Sequence, residues 1–189
     1  ALAVIMAAAC FTYAAPVKAN AAGDVTLRFD NSNNLSYFSG THNLHVAYSG
    51  FEEAILMAVT GDDPYVLLNV EGMANVSADT YKYVVVTYLS PAANSSKAEK
   101  TELFMSAGST SGPTAGCSVL FDTQRAHKYR TEDIDMTGAS YWSGKVHNIR
   151  FDAYCQGETW DIFYLSSVTF CQSASAANAA ASAEAARAN

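Results

Sequence analysis

Two short stretches of this sequence carry the residue types that take hold of a polar, ring-shaped ligand. In "CQGETWD", Trp160 follows the loop Gln156-Gly157-Glu158-Thr159; in "NNLSYFSGTHN", Tyr37 and Phe38 sit together among Asn, Ser and Thr. A sugar ring offers an apolar C–H face that stacks on an aromatic ring, while nearby carboxamides and carboxylates bond its hydroxyls. Trp160, Tyr37, Phe38 and Gln156 are therefore the candidate binding residues, with burial of the same rings in a core as the alternative. Tyr129 and Tyr141 are lesser candidates of the same kind.

Catalytic patterns are missing. There is no G-x-S-x-G elbow, no H-E-x-x-H and no phosphate-cradling glycine loop, and His42, His45, His127 and His147 have no nucleophile–base spacing. Arg150 and Asp152 are two apart on a predicted strand and share a face, which reads as a solvated ion pair of small energetic worth. The net charge is −7 and the 11 Lys and Arg are scattered. No basic stripe exists to neutralise phosphates, so nucleic acid is excluded as a partner. No CxxC or His/Cys spacing points to zinc. Beyond the N-terminal run the cysteines are Cys117, Cys155 and Cys171, an odd number that leaves either one bridge through Cys117 or buried free thiols. Asn34, Asn75 and Asn94 each open an N-x-S match to the glycosylation sequon.

The elements that must position these residues are strands. The apolar period is mostly two: in "DVTLRFD", Val25, Leu27 and Phe29 face one way and Thr26, Arg28 and Asp30 the other. "EEAILMAVTG" leads into the turn Asp62-Asp63-Pro64, and "YVLLNV" starts the next strand. "YKYVVVTYL" is apolar on both faces and predicts a central strand covered on each side. "ELFMSAG", "CSVLF", "IRFDAYC" and "DIFYLSSVTF" complete the series, the last two read as a hairpin in which Ile149, Phe151, Ala153 and Cys155 point to the core. Short strands at roughly ten-residue spacing predict one antiparallel β-sandwich.

The ends differ in kind. Residues 1–21 are an apolar run closing in Ala19-Asn20-Ala21, the pattern of a secretory signal cut before Ala22; retained, the same run would serve as an assembly segment. Residues 172–189 are Ala-rich with almost no large apolar side chain, which predicts a surface helix or, preferably, a linker that the domain can lose.

"DPYVLLNV", "YKYVVVTYL", "ELFMSAG" and "YWSGKVHNIRFDAY…TWDIFYLSSVTF", in this order over residues 24–171, resemble the galactose-binding-like, carbohydrate-binding-module-like β-jelly-roll domains of secreted and surface proteins of Gram-positive bacteria. The resemblance implies an all-β jelly roll without catalysis, located outside the cell or on its surface. Its partners would be a polysaccharide or cell-wall glycan and neighbouring modules of the same chain, with self-assembly as a filament subunit the runner-up if the leader is retained. It also implies that Trp142 closes the sandwich, and that a structural Ca2+ lies between the first and last strands, where Asp24, Asp30 and Asp161 supply hard oxygen ligands.

Overall fold

The computed structural model describes residues 23–91 and 100–189, together with the backbone of Lys18–Ala19. The leader reading of residues 1–21 and the sequon at Asn94 lie outside the described residues, that backbone pair excepted. Among the described residues twelve strands and one α-helix follow in chain order: β1 (Lys18–Ala19), β2 (Val25–Arg28), β3 (Phe38–His42), β4 (Leu44–Ser49), β5 (Ala54–Val59), β6 (Tyr65–Asn69), β7 (Tyr83–Leu89), β8 (Lys100–Ala107), β9 (Ser118–Asp122), β10 (Arg130–Asp135), β11 (Val146–Asp152), β12 (Ile162–Cys171) and α1 (Ala174–Ala188).

They form the antiparallel jelly-roll sandwich that the alternation predicts. Sheet A is organised around β12, which pairs with β7 along one side and with β2 and β5, end to end, along the other. β1 extends the sheet beyond β2, β4 beyond β5 and β10 beyond β7. Sheet B has the order β3-β6-β11-β8-β9. A bulge explains how β12 keeps its core face. Phe163 and Leu165 point inward, but the next inward pair is Val168 and Phe170, one residue out of step. The register shift between Leu165 and Ser167 absorbs the extra residue, so all four rings and chains reach the core. There Phe163 stacks on Tyr88 at 5.1 Å and tilts against Phe151 of sheet B at 5.3 Å.

Several expectations are corrected. "NNLSYFSGTHN" is not a loop: Ser32–Tyr37 form a 3-10 turn and Phe38–His42 form β3. A single residue, Asn43 with φ +45°, then carries the chain across from sheet B to sheet A, a conformation Asn tolerates. β11 and β12 are not a hairpin, because they belong to different sheets, and Cys155 lies in their connection, only half-buried. Cys117, Cys155 and Cys171 are all free. Asn34 is buried, its carboxamide donating to the Arg28 carbonyl at 2.8 Å, which makes its sequon unreachable in the folded chain.

The largest difference is the tail, which is a helix packed on sheet A rather than a linker. Ser173 caps it by accepting from the Ala176 N–H, and Ala177 and Ala180 pack on Val85 and Cys171. Glu184 is the anchor: 2% exposed, it accepts from Arg28 on β2 at 2.5 Å, Arg187 at 2.9 Å and the Ser167 hydroxyl at 3.1 Å. Burial pushes its carboxyl up, yet the bonds from Arg28 and Arg187 outweigh this and hold it below its ordinary range. The helix therefore roofs the outer face of sheet A, which is why Thr26, Thr87, Ser167 and Thr169 are buried there.

Candidate binding face

Among the described residues sheet B has no such roof, and its outer face presents a row of flat groups across four strands. The His42 ring stacks on Tyr65 at 5.2 Å, and the Arg150 guanidinium lies 3.8 Å from the centre of Tyr65 and 4.9 Å from that of Phe104. Strand alternation puts them there. Val66 and Leu68 of β6, Ile149 and Phe151 of β11, and Leu103 and Met105 of β8 fill the core, so Tyr65, Arg150 and Phe104 face outward. Arg150 is held by Asp152 through Nε and Nη2, both at 2.7 Å, and by Asp63 of the β5–β6 turn at 2.9 Å. This is not the solvated pair expected from sequence. Asp152 is 4% exposed, and burial pushes its carboxyl up to about 6 against the pull of Arg150, with Asp63 and Glu102 adding to the rise.

One turn of the face away lies an uncharged row. Asn148 pairs across the ladder with Asn69 on one side and Ser106 on the other. The Ser106 hydroxyl is buried and has no hydrogen-bond partner among the described residues. On the outer strand β9, Leu120 is 50% exposed.

At the other end of the face, Asp63 leads into a cavity of about 370 Å3 lined also by Asp62, Cys155, Gln156, Gly157 and Glu158. Trp160 sits on the turn that leaves this cavity. The turn is closed by the Asp161 carboxylate, which accepts from the Glu158 N–H at 2.8 Å, and by the Asp161 N–H donating to the Glu158 carbonyl at 2.9 Å. Trp160 is 70% exposed and adopts φ +76°, a left-handed conformation that a bulky side chain adopts only under constraint.

The sequence-predicted residues thus separate. Gln156 and Trp160 share the end of the sandwich with the new face, and Trp160 is exposed as expected. Tyr37 and Phe38 do not join them: both pack against the core, Phe38 edge-on to Phe29 at 5.2 Å. Tyr129 is buried beneath α1, and Tyr141 packs on the core while donating to the Ser118 carbonyl. Trp142 closes the sandwich, 2% exposed, stacked on Phe170 and donating to the Tyr81 carbonyl at 2.7 Å. Tyr65, Phe104 and Asn148 were missed. Their signal was in the alternation of "YVLLNV", "ELFMSAG" and "HNIRFD", whose outward positions hold rings and carboxamides.

Asp24, Asp30 and Asp161 do not fit one ion. Asp24 flanks the end of β12 and accepts from the Gln172 N–H; Asp30 accepts from the Asn31 carboxamide; Asp161 caps Glu158 at the start of β12. The ten residues of β12 set Asp24 and Asp161 roughly 30 Å apart. Among the described residues no group of three His, Cys, Asp or Glu side chains is arranged to hold a metal.

No protein-family model matches this sequence, and no curated protein matches it. Its fold is similar to solved carbohydrate-binding modules. One is the low-affinity xylan-binding module CBM86 from Roseburia intestinalis, with TM-score 0.55 and 11% identity over 81% of this chain and 98% of that one. Another is the family 11 carbohydrate-binding module from Clostridium thermocellum, solved with a β-1,3-1,4-mixed-linked tetrasaccharide, with TM-score 0.54 and 12% identity over 82% of this chain and 98% of that one. At such identity the likeness is one of fold. No helix among the described residues is long and apolar enough to cross a membrane.

Proposed function

We propose that this chain is a non-catalytic carbohydrate-binding module of an exported multidomain protein, and that it holds polysaccharide on the outer face of sheet B. One observation carries this reading: α1 roofs one sheet, while among the described residues nothing covers the other, where Tyr65, Phe104 and Asn148 turn outward on alternate rungs. Rings and uncharged hydrogen-bonding groups on a rigid sheet are what a chain of sugar rings needs. Tyr65 and Phe104 flank the Arg150 guanidinium, 3.8 and 4.9 Å from their ring centres, which sets the rings side by side across β6, β11 and β8 for a glycan crossing the strands. The likeness to the xylan-binding module and to the module solved with a β-1,3-1,4-mixed-linked tetrasaccharide supports the same reading. Trp160, exposed and constrained at the end of the face, extends the site around the edge of the sandwich.

The test is affinity electrophoresis through gels containing xylan, β-1,3-1,4-glucan or mannan. The chain is expected to be retarded by at least one of them. Tyr65→Ala and Phe104→Ala are each expected to weaken retention about tenfold, ~1.4 kcal/mol. Migration unaffected by every polymer would refute the reading.

A further inference from the structure

Resting on that reading, we propose that the sheet B face selects uncharged glycan and excludes uronate-bearing polymers, with Arg150 acting as a positioning residue and not as a carboxylate receptor. An arginine at the centre of a polar binding face is ordinarily a clamp for a carboxylate, which it grips with two parallel N–H groups. Here neither pair of N–H groups is open. The Nε/Nη2 edge is taken by both oxygens of Asp152, and the second Nη2 proton is given to Asp63. The flat sides are covered too, by Tyr65 and Phe104. What this arrangement does is pack the two rings against the guanidinium, one from each strand beside β11.

The surroundings repel anions. Asp152 stands opposite Glu102 across the β11–β8 ladder, and Asp62 and Glu158 line the adjoining cavity. Lys100, the other cation of this face, bonds Asp122 at 2.5 Å. A uronate laid across Tyr65 and Phe104 would meet carboxylates on both sides, and among the described residues of this face Arg150 offers it no free pair of parallel N–H groups. A hydroxyl-bearing ring meets instead the uncharged carboxamide of Asn148, with that of Asn69 beside it on the same rung.

Affinity electrophoresis against β-1,3-1,4-glucan and polygalacturonate tests this. The wild type is expected to be retained at least about tenfold more strongly by the glucan. The decisive variant is Asp63→Gly. It removes a carboxylate that is 64% exposed on a turn where φ is +52°, which glycine adopts readily, so the fold is undisturbed. With Asp63 gone, the Nη1/Nη2 edge opens. Retention on polygalacturonate should rise roughly tenfold, the worth of one charge-assisted bond, and a second change, Arg150→Met, should abolish the gain. A purely structural Arg150 would give no such gain of binding. Wild-type retention on polygalacturonate that equals that on glucan and disappears in Arg150→Met would overturn the inference while leaving glycan binding intact; so would an Asp63→Gly variant without the gain. Retention on neither polymer would overturn the glycan-binding reading, and this inference with it.

Discussion

At the scale of single residues, the two tryptophans have opposite duties. Trp142 is enclosed, stacked and hydrogen-bonded, so Trp142→Ala should remove about 3–5 kcal/mol and lower the melting temperature by on the order of 10 °C, with or without glycan. Trp160 is exposed in a conformation that suits glycine. Trp160→Gly should therefore leave the melting temperature unchanged or raise it by a few degrees, while weakening retention on polysaccharide. A drop like that of Trp142→Ala would mean that Trp160 is packing after all. His147 is a third case. Its Nδ1 faces Glu71 at 3.0 Å and its Nε2 faces the Gly108 carbonyl at 3.1 Å, so both contacts hold only when both nitrogens are protonated. The bond to Glu71 and then that to Gly108 raise its pKa above 6.5; Glu71, bonded by Lys145 and His147, is lowered. A raised folded-state pKa means that the stabilisation is complete below the unfolded value and is lost as pH rises through the folded one. The melting temperature gap between wild type and His147→Ala should thus be wider at pH 5.5 than at pH 8.5. A gap that widens towards pH 8.5 would contradict the two-acceptor geometry.

At the scale of elements, the strands with clear alternation or continuous apolar runs were legible, and those without were not. "YKYVVVTYL" is covered on both faces as predicted, Val84 and Val86 by the core and Val85 by α1. β10, "RTEDID", escaped notice because it is an edge strand with four charged side chains, three of them exposed, and so carries no apolar alternation. α1 was named as one of two alternatives, but its structural role escaped for a different reason. Its attachment is a polar network between Glu184 and Arg28, 156 positions apart in sequence, and no local pattern of large apolar residues announces it. The dispensable linker expected from composition becomes a structural roof. Glu184→Gln should remove about 3–5 kcal/mol, because Arg28 would be left buried beside an uncharged group. Chemical denaturation compares the two proteins directly, and a loss below about 0.5 kcal/mol would show that the helix is not held by this carboxylate.

At the scale of the whole molecule, the two sheets are unequal, and that inequality is the basis of the functional reading. The sandwich was legible because alternation over many short strands can close on only a few architectures. The binding face was legible only in part. Exposure of Trp160 follows from a loop too polar to bury it, but the Tyr65–Arg150–Phe104 row depends on which strands become neighbours, and β6, β11 and β8 are far apart in sequence. Pairing order also decides which face α1 covers. The central claim is that polysaccharide lies on sheet B. The most direct measurement is the change in backbone amide NMR shifts when xylohexaose or a β-1,3-1,4-glucan tetrasaccharide is titrated into the labelled chain. The account predicts that the shifting amides cluster on β6, β11 and β8, with a smaller set around Gln156 and Trp160. Shifts confined to sheet A and α1, or no shifts at saturating oligosaccharide, would contradict it.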